Sequence, residues 1–168
     1  MHKFSTAIES LASPVLDKWY RENFSKLLAI IDVSQNTEFQ HAGIDKYLIF
    51  KHPELPKIIH VSIDEKVRTQ SWSDVLAEIW SKKEKEIPGW AWTSKADYIV
   101  YAFFNPATKK LMEPPRFIQP LELIKLLKTK EYPTKLALNV GWTTVNKAIP
   151  KNELNSKPPK EWYIHDFV

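Results

Sequence analysis

Residues 40–68 read QHAGIDKYLIFKHPELPKIIHVSIDEKVR, a segment with two β-rich stretches joined by a short polar connection. DKYLIF (45–50) and KIIHVSI (57–63) are rich in the β-branched and aromatic residues that strands favour. The connection KHPELPK (51–57) holds two prolines, which interrupt strands because they lack an amide donor. The segment therefore predicts two neighbouring strands, antiparallel to each other.

Charged residues at the end of the second stretch fall on one side of the predicted strand. Side chains two apart in a strand point the same way, so Asp64, Lys66 and Arg68 share a face. If the strands pair so that Asp45 lies near Asp64, two carboxylates and a lysine converge. Such a set suits Mg²⁺, which takes one or two protein carboxylates together with waters and substrate phosphate oxygens. Lys66 would then orient or help deprotonate an attacking water, and Arg68 could hold a phosphate.

The segments before and after this one predict helices around a sheet. Apolar residues at helical spacing over residues 4–31 indicate a helix in one or two pieces, with Pro14 as a break or a start. SDVLAEIW (73–80) favours a strand because it is short and lies between strand-like segments. The strongest strand signal is YIVYAFF (98–104), which we expect at the centre of the sheet.

The last third of the chain predicts a short strand, a helix and a surface tail. RFI (116–118) can add a strand, and Pro120 opens an amphipathic helix whose lysines lie toward its C-terminus. We expect the tail, residues 151–168, to lie across the surface. The order of elements predicts an α/β or α+β fold with a central mixed sheet flanked by helices.

Length and composition indicate a single domain over residues 1–168. The chain is long enough for one sizeable core, and its 43% hydrophobic and 26% charged residues are typical of a globular protein. There is no apolar run of bilayer length, no apolar secretory leader and no cysteine, so membrane roles, disulfides and thiolate metal sites are not expected. A cytoplasmic location is the default expectation.

The basic residues are concentrated toward the C-terminus. Residues 101–168 hold eleven Lys and Arg against six Asp and Glu, whereas residues 1–100 hold thirteen against fourteen. This asymmetry fits a polyanionic partner such as nucleic acid, although a solvated lysine-rich surface gives the same pattern.

The histidines and glycines exclude other kinds of site. The five histidines lack the spacing of a zinc site. The three glycines, Gly43, Gly89 and Gly141, form no phosphate-binding loop, and each is expected where a side chain would not fit. Gly43 lies two residues before Asp45 and places a turn beside the candidate site.

The spacing of GID, ending at Asp45, and IDEK, holding Asp64 and Lys66, resembles the PD-(D/E)XK nuclease superfamily. Restriction endonucleases, junction resolvases and lambda-type exonucleases share that fold. GWAWTSKADYIVYAF (89–103) and GWTTVNKAIP (141–150) also look like segments of small bacterial and phage members. The resemblance covers about residues 36–150. It implies a restriction-endonuclease-like fold and Mg²⁺-dependent hydrolysis of DNA phosphodiesters, with Mn²⁺ able to substitute and a homodimer possible.

The resemblance also implies roles for individual residues. Asp45 and Asp64 match the metal-binding acids of the superfamily, and Lys66 matches its catalytic lysine. Gln40 resembles a glutamine often found before the first acid. The acid that members commonly supply from their first helix has Glu9 as its candidate and Glu22 as its competitor.

Three further residues are candidates for the site or the substrate surface. Glu78 could add a metal-binding or supporting acid if its strand adjoins Lys66. Lys95, together with Thr93, could line a substrate groove and contact phosphate. Each of these is equally compatible with an ordinary surface position.

The sequence departs from the superfamily pattern at two positions. The residue before Asp45 is Ile44 rather than proline, a position that tolerates change. The middle residue of the Asp64–Lys66 triplet is usually apolar, but here it is Glu65, on the face of Val61 and Ile63. Because an unpaired buried carboxylate would cost several kcal/mol, either the strand ends early or twists, or Glu65 has a partner. Glu65 could also reach the metal in place of Asp64.

Two other classes of function stay open at the sequence level. A protein that kept the nuclease fold but lost turnover could bind nucleic acid or act as an interaction module. Alternatively, Asp45 caps a turn after Gly43, and Asp64 with Lys66 forms a solvated pair without a catalytic role.

Overall fold

The structure, a computed structural model, describes residues 2–52 and 54–162. The described helices are α1 (His2–Asn23), α2 (Thr37–Ala42), α3 (Trp90–Thr93) and α4 (Pro120–Thr129). The described strands are β1 (Leu27–Asp32), β2 (Lys46–Lys51), β3 (Ile58–Arg68), β4 (Asp74–Lys82), β5 (Ile87–Pro88), β6 (Tyr98–Asn105), β7 (Lys110–Leu111), β8 (Arg116–Ile118), β9 (Thr134–Asn139) and β10 (Trp142–Pro150).

The central sheet is mixed and has the order β1-β2-β3-β6-β7, with β8 also paired to β6. β2 and β3 are antiparallel, as the sequence predicted, whereas β3 and β6 run parallel. A parallel pair needs a long connection, and here the chain makes β4, β5 and α3 before it returns as β6. β6 has β3 on one side and β7 and β8 on the other, so it lies inside the sheet, as its apolar sequence indicated.

Side-chain alternation gives the two faces of the central sheet different neighbours. One face, with Val61, Ile63 and Val100, packs against α1 through Leu16 and Tyr20. The opposite face, which includes the buried Ile99 and Phe103 of β6, is covered by β4, β10, α3 and α4. The central sheet is thus sandwiched, and the mixed α/β fold with a central mixed sheet is confirmed.

The second sheet is antiparallel and has the order β5-β4-β10-β9. The sequence predicted β4 as a strand, and β4 is confirmed. The β9–β10 hairpin was not predicted. Its turn contains Gly141 at φ +85°, a backbone conformation that glycine adopts without strain.

The prediction of helix as far as residue 31 is wrong. α1 ends at Asn23, and Leu27–Asp32 forms β1, an edge strand that pairs with β2. The apolar residues of this stretch fit either periodicity, and backbone pairing with β2 decides the outcome. Pro14 neither starts nor breaks α1, which continues through it.

The prediction that the tail lies across the surface is wrong for Leu154 and Trp162, which are both buried. Trp162 is buried in the core, and its ring stacks on Phe50 with the centroids 4.6 Å apart. Burial of so large an apolar side chain outweighs the polar and proline-rich character of the segment before it. Residues 163–168 lie outside the described part of the chain.

No helix among the described residues is both long and apolar enough to cross a membrane.

Candidate active site

Strand register brings the two aspartates of the predicted site together. Lys46 of β2 pairs with Ile63 of β3, and the Asp45 amide donates to the Ile63 carbonyl at 2.8 Å. Continuing this antiparallel register by one residue places Asp45 opposite Asp64. Because directly opposed residues point to the same face of a sheet, the two carboxylates meet there.

The turn before Asp45 fits tightly against Asp64. Gly43 ends α2 with φ +66°, and its amide donates to the Gln40 carbonyl. A Cβ built on Gly43 would lie 3.3 Å from Asp64 Oδ2 and 3.2 Å from the Ser94 Cα. A side chain is thus disfavoured at Gly43 both by backbone conformation and by the close approach of Asp64.

Asp64 is almost fully buried, and only one of its oxygens is paired. Oδ1 lies 2.5 Å from the Lys66 ammonium, whereas Oδ2 is buried without a hydrogen-bond partner among the described residues. A buried carboxylate oxygen without a hydrogen-bond partner is costly, and Oδ2 is free to accept a further bond.

Lys66 is held as an ammonium by the carboxylates around it. Asp64 and Asp45, with a smaller contribution from Glu9, raise the pKa of Lys66 well above its ordinary value, against the opposing effect of burial. Its side chain is 26% exposed and lies over the Trp90 ring, 5.9 Å from the centroid. The charge of Lys66 therefore stays near the site and within reach of solvent.

Asp45 has a polar anchor and a shifted pKa. Its Oδ2 accepts a 2.7 Å hydrogen bond from the Glu65 backbone amide, which fixes the carboxylate beside β3. Burial and the nearby charges of Asp64 and Glu9 raise the pKa of Asp45, whereas Lys66 opposes the rise. A second positive charge at this place would favour the ionised form of Asp45.

Glu65 points to the opposite face of β3 and has partners of its own. Its Oε1 accepts from Tyr20 Oη at 2.8 Å and from Lys46 Nζ at 2.9 Å. Lys46 is itself buried and also contacts Asp17 Oδ1 at 2.6 Å. β3 continues beyond Glu65, so the charged middle residue is accommodated by this network rather than by an early strand end. Its carboxylate does not lie with that of Asp64.

A groove of about 560 Å³ adjoins Lys66. The central sheet and α1 contribute Glu9, Lys66 and Arg68 to its lining, whereas β4 contributes Glu78 and Lys82. Of the two acids proposed from the first helix, Glu9 lines this groove. Glu22 instead lies 3.6 Å from Lys18 in an exposed pair along α1.

The remaining predicted residues have mixed placements. Arg68 lines the groove, but its guanidinium is 2.8 Å from Asp74 and its Cζ lies 5.6 Å from the centroid of the Trp72 ring. Glu78 lines the groove from the second sheet, since β4 pairs with β5 and β10 rather than with β3.

Gln40 and Lys95 lie beside the turn at Gly43 rather than in the groove. Gln40 Nε2 donates to the Ser34 carbonyl, and both Gln40 and Lys95 have exposed side chains. The Lys95 backbone amide donates to the Ala42 carbonyl at 2.9 Å. The structure thus gives Lys95 a role in joining α3 to α2, and Thr93 bonds within α3 to the Gly89 carbonyl.

Sequence reasoning missed the groove residues of the second sheet, among them Lys82, Asn139 and Trp142. They lie far apart in the chain and become neighbours only through the pairing of β4, β9 and β10. The alternation in LNVGWTT (138–144) was the available signal, because it places Asn139 and Trp142 on one face of a hairpin around Gly141.

The donor set of the site is small and consists of oxygen. Among the described residues no three His, Cys, Asp or Glu side chains are grouped as a metal-binding cluster. The oxygen donors at the site are the carboxylates of Asp45 and Asp64, and Asp64 Oδ2 is buried without a hydrogen-bond partner among the described residues. This set fits Mg²⁺, which completes its shell with waters and phosphate oxygens, better than it fits zinc.

Comparison of the chain with models of protein families, with curated proteins and with solved structures found no match.

Proposed function

We propose that the protein is a Mg²⁺-dependent nuclease that hydrolyses phosphodiester bonds in DNA, with Mn²⁺ able to replace Mg²⁺. The observation that carries the proposal is the meeting of Asp45, Asp64 and Lys66 on one face of the central sheet beside a groove. The unpartnered oxygen of Asp64 supports a role for these carboxylates as ligands.

The acidic and basic side chains have different roles in this proposal. Asp45 and Asp64 would hold the ion, and the Glu65 amide keeps the Asp45 carboxylate in place. Bound there, Mg²⁺ would supply positive charge to the phosphate and make a water more acidic. Lys66, whose ammonium lies beside Asp64, would orient the attacking water and stabilise negative charge in the transition state.

The test is cleavage of end-labelled single-stranded and duplex DNA with Mg²⁺, Mn²⁺ or EDTA. We expect metal-dependent cleavage by the parent and a loss of about 100- to 1,000-fold in Lys66→Ala, the range seen when one donor to transition-state charge is removed. Lys128→Ala, which removes an exposed lysine of α4, should cleave like the parent.

Metal binding gives a second readout that does not depend on turnover. Mg²⁺ should raise the melting temperature of the parent but not of Asp64→Asn, since only the folded site binds the ion. A parent that neither cleaves nor responds to metal would contradict the proposal. If it still bound DNA, the alternative of a nuclease fold without turnover would replace it.

A further inference from the structure

The groove beside Lys66 has a floor built from one face of the second sheet. Trp142 pairs with Asn139, and Thr144 pairs with Ala137, so these four side chains share a face. All four line the groove that Lys66 also lines. A substrate strand whose phosphate lies at Lys66 would therefore pass over this floor.

Trp142 offers a flat aromatic surface with a cation over it. The Lys82 ammonium lies 5.0 Å from the centroid of the half-buried Trp142 ring. A base stacked on Trp142 would take the place of this ammonium, which the flexible lysine stem could then direct to a phosphate. Stacking of bases on aromatic side chains is how many single-strand binding grooves hold their ligand.

The polar groups of the floor are held in fixed positions. Asn139 Nδ2 donates to Thr144 Oγ1 at 3.1 Å and to the Ala137 carbonyl at 3.2 Å, and Thr144 Oγ1 donates to the Ser81 carbonyl at 3.1 Å. These bonds do not use Asn139 Oδ1, which could accept from the edge of a base. Such preorganised polar groups lower the cost of ordering a ligand.

The charge of the lining argues for recognition of a base rather than of a row of phosphates. Lys66, Arg68 and Lys82 are offset by Glu9 and Glu78. Arg68 and Lys66 are also paired with Asp74 and Asp64. Attraction of phosphates alone therefore does not account for the groove.

We propose that this groove holds one unpaired nucleotide of the substrate strand, with its base stacked on Trp142, so that the substrate is single-stranded or locally opened DNA. Paired bases in a duplex are stacked on one another and do not offer their faces to a protein side chain. The inference rests on the proposed nuclease function, because it takes the strand that runs from Lys66 as its ligand.

The test is equilibrium binding of fluorescein-labelled single-stranded and duplex DNA, measured by anisotropy in EDTA so that nothing is cleaved. We expect the parent to prefer the single strand and Trp142→Ala to bind it about 5- to 150-fold more weakly, the usual contribution of one stacked base. Trp142→Phe should restore most of the affinity. Leu138→Ala, on the exposed opposite face of β9, should bind like the parent.

Lys82→Ala provides a second variant that leaves the floor intact. This variant should bind single-stranded DNA more weakly. The slope of log affinity against log salt concentration should be smaller in magnitude by about one, as expected for loss of one phosphate contact. Equal affinity of the parent for both DNAs, or unchanged binding of the single strand by Trp142→Ala, would overturn the inference.

The two proposals fail separately. Lys66-dependent cleavage together with Trp142-independent binding would remove the groove inference and leave the nuclease. Trp142-dependent binding of single strands without any metal-dependent cleavage would remove the nuclease and leave a single-strand binding protein.

Discussion

Glu65 is a buried acid between two residues of the proposed reaction centre, and its side chain faces away from that centre. Burial raises its pKa to about 7, against the opposing effects of Lys46 and Tyr20. The backbone amide of the same residue holds Asp45. A core ion pair and a site carboxylate thus depend on one residue of β3.

This pKa predicts that stability falls with rising pH. The ordinary value is 4.5 and the folded value is about 7, so between them the folded protein keeps a proton that the unfolded chain has lost. The stability that the Glu65 proton contributes is complete below pH 4.5 and is lost as pH rises through 7. This loss lowers the free energy of unfolding by a few kcal/mol at most. Urea unfolding of the parent across this window should show the decline.

Glu65→Gln is the control for this effect, because it keeps the shape of the side chain and removes the titration. The difference in unfolding free energy between parent and variant should change across the window, while the titration of all other groups cancels. Parallel pH profiles for the two proteins would contradict the assignment.

At this scale the sequence indicated the residues of the site but not all of their contacts. Alternation along one strand was enough to put Asp64 and Lys66 on one face, because strand geometry is local. The partners of Glu65 were not predictable, since Lys46 is nineteen residues away and Tyr20 lies on a helix. Whether the meeting of Asp45, Asp64 and Lys66 is catalytic stays a prediction.

The turn from α2 into β2 is the element that presents Asp45 beside Asp64. Gly43→Ala should be destabilising by about 1–2 kcal/mol, because φ +66° is strained for an L side chain. The added methyl would also press on Asp64 Oδ2 at 3.3 Å. We therefore expect metal-dependent cleavage, assayed well below the melting temperature, to fall further than the loss of folded protein explains.

Gly141→Ala is the control variant, because it adds the backbone strain of positive φ without a contact to Asp64. Gly141 also has positive φ, but a Cβ there would lie more than 4 Å from every described atom outside Gly141 and its two chain neighbours. It should lose comparable stability but keep the Mg²⁺-dependent rise in melting temperature, which Gly43→Ala should lose because its methyl presses on Asp64. An equal loss of this rise in both variants would argue against a specific role for the turn at Gly43.

Elements with a strong local signal were predictable, and those created by pairing were not. β6 and α4 follow from apolar residues and from Pro120. The sequence predicts helix where β1 forms, because the apolar residues of β1 fit both periodicities and only pairing with β2 distinguishes them. β9 has exposed Leu136 and Leu138, so the usual pattern of a half-buried strand is missing there.

Across the whole molecule, the end of the described chain closes the core between α1 and the central sheet. Trp162 is 5% exposed and contacts Phe24, Phe50 and Phe117. Trp162→Ala should lower the free energy of unfolding by about 3–5 kcal/mol, the cost of removing a large buried aromatic side chain. Urea denaturation followed by circular dichroism would measure it.

Trp72→Ala is the matched control, because Trp72 is 52% exposed and its ring is over Arg68 at the surface. It should cost less than about 1 kcal/mol. A Trp162→Ala variant as stable as Trp72→Ala would show that the segment before residue 163 is not part of the cooperative core. The homodimer, the cytoplasmic location and the choice of DNA stay predictions.

The second sheet is assembled from two distant parts of the chain. β4 and β5 belong to the connection between β3 and β6, whereas β9 and β10 come after α4. During synthesis, Asp45, Asp64 and Lys66 leave the ribosome long before Trp142 does. Because contacts distant in sequence form late, the floor of the groove is completed only when the chain as far as β10 is available. A growing chain would thus carry the three site residues before it could hold a strand against them.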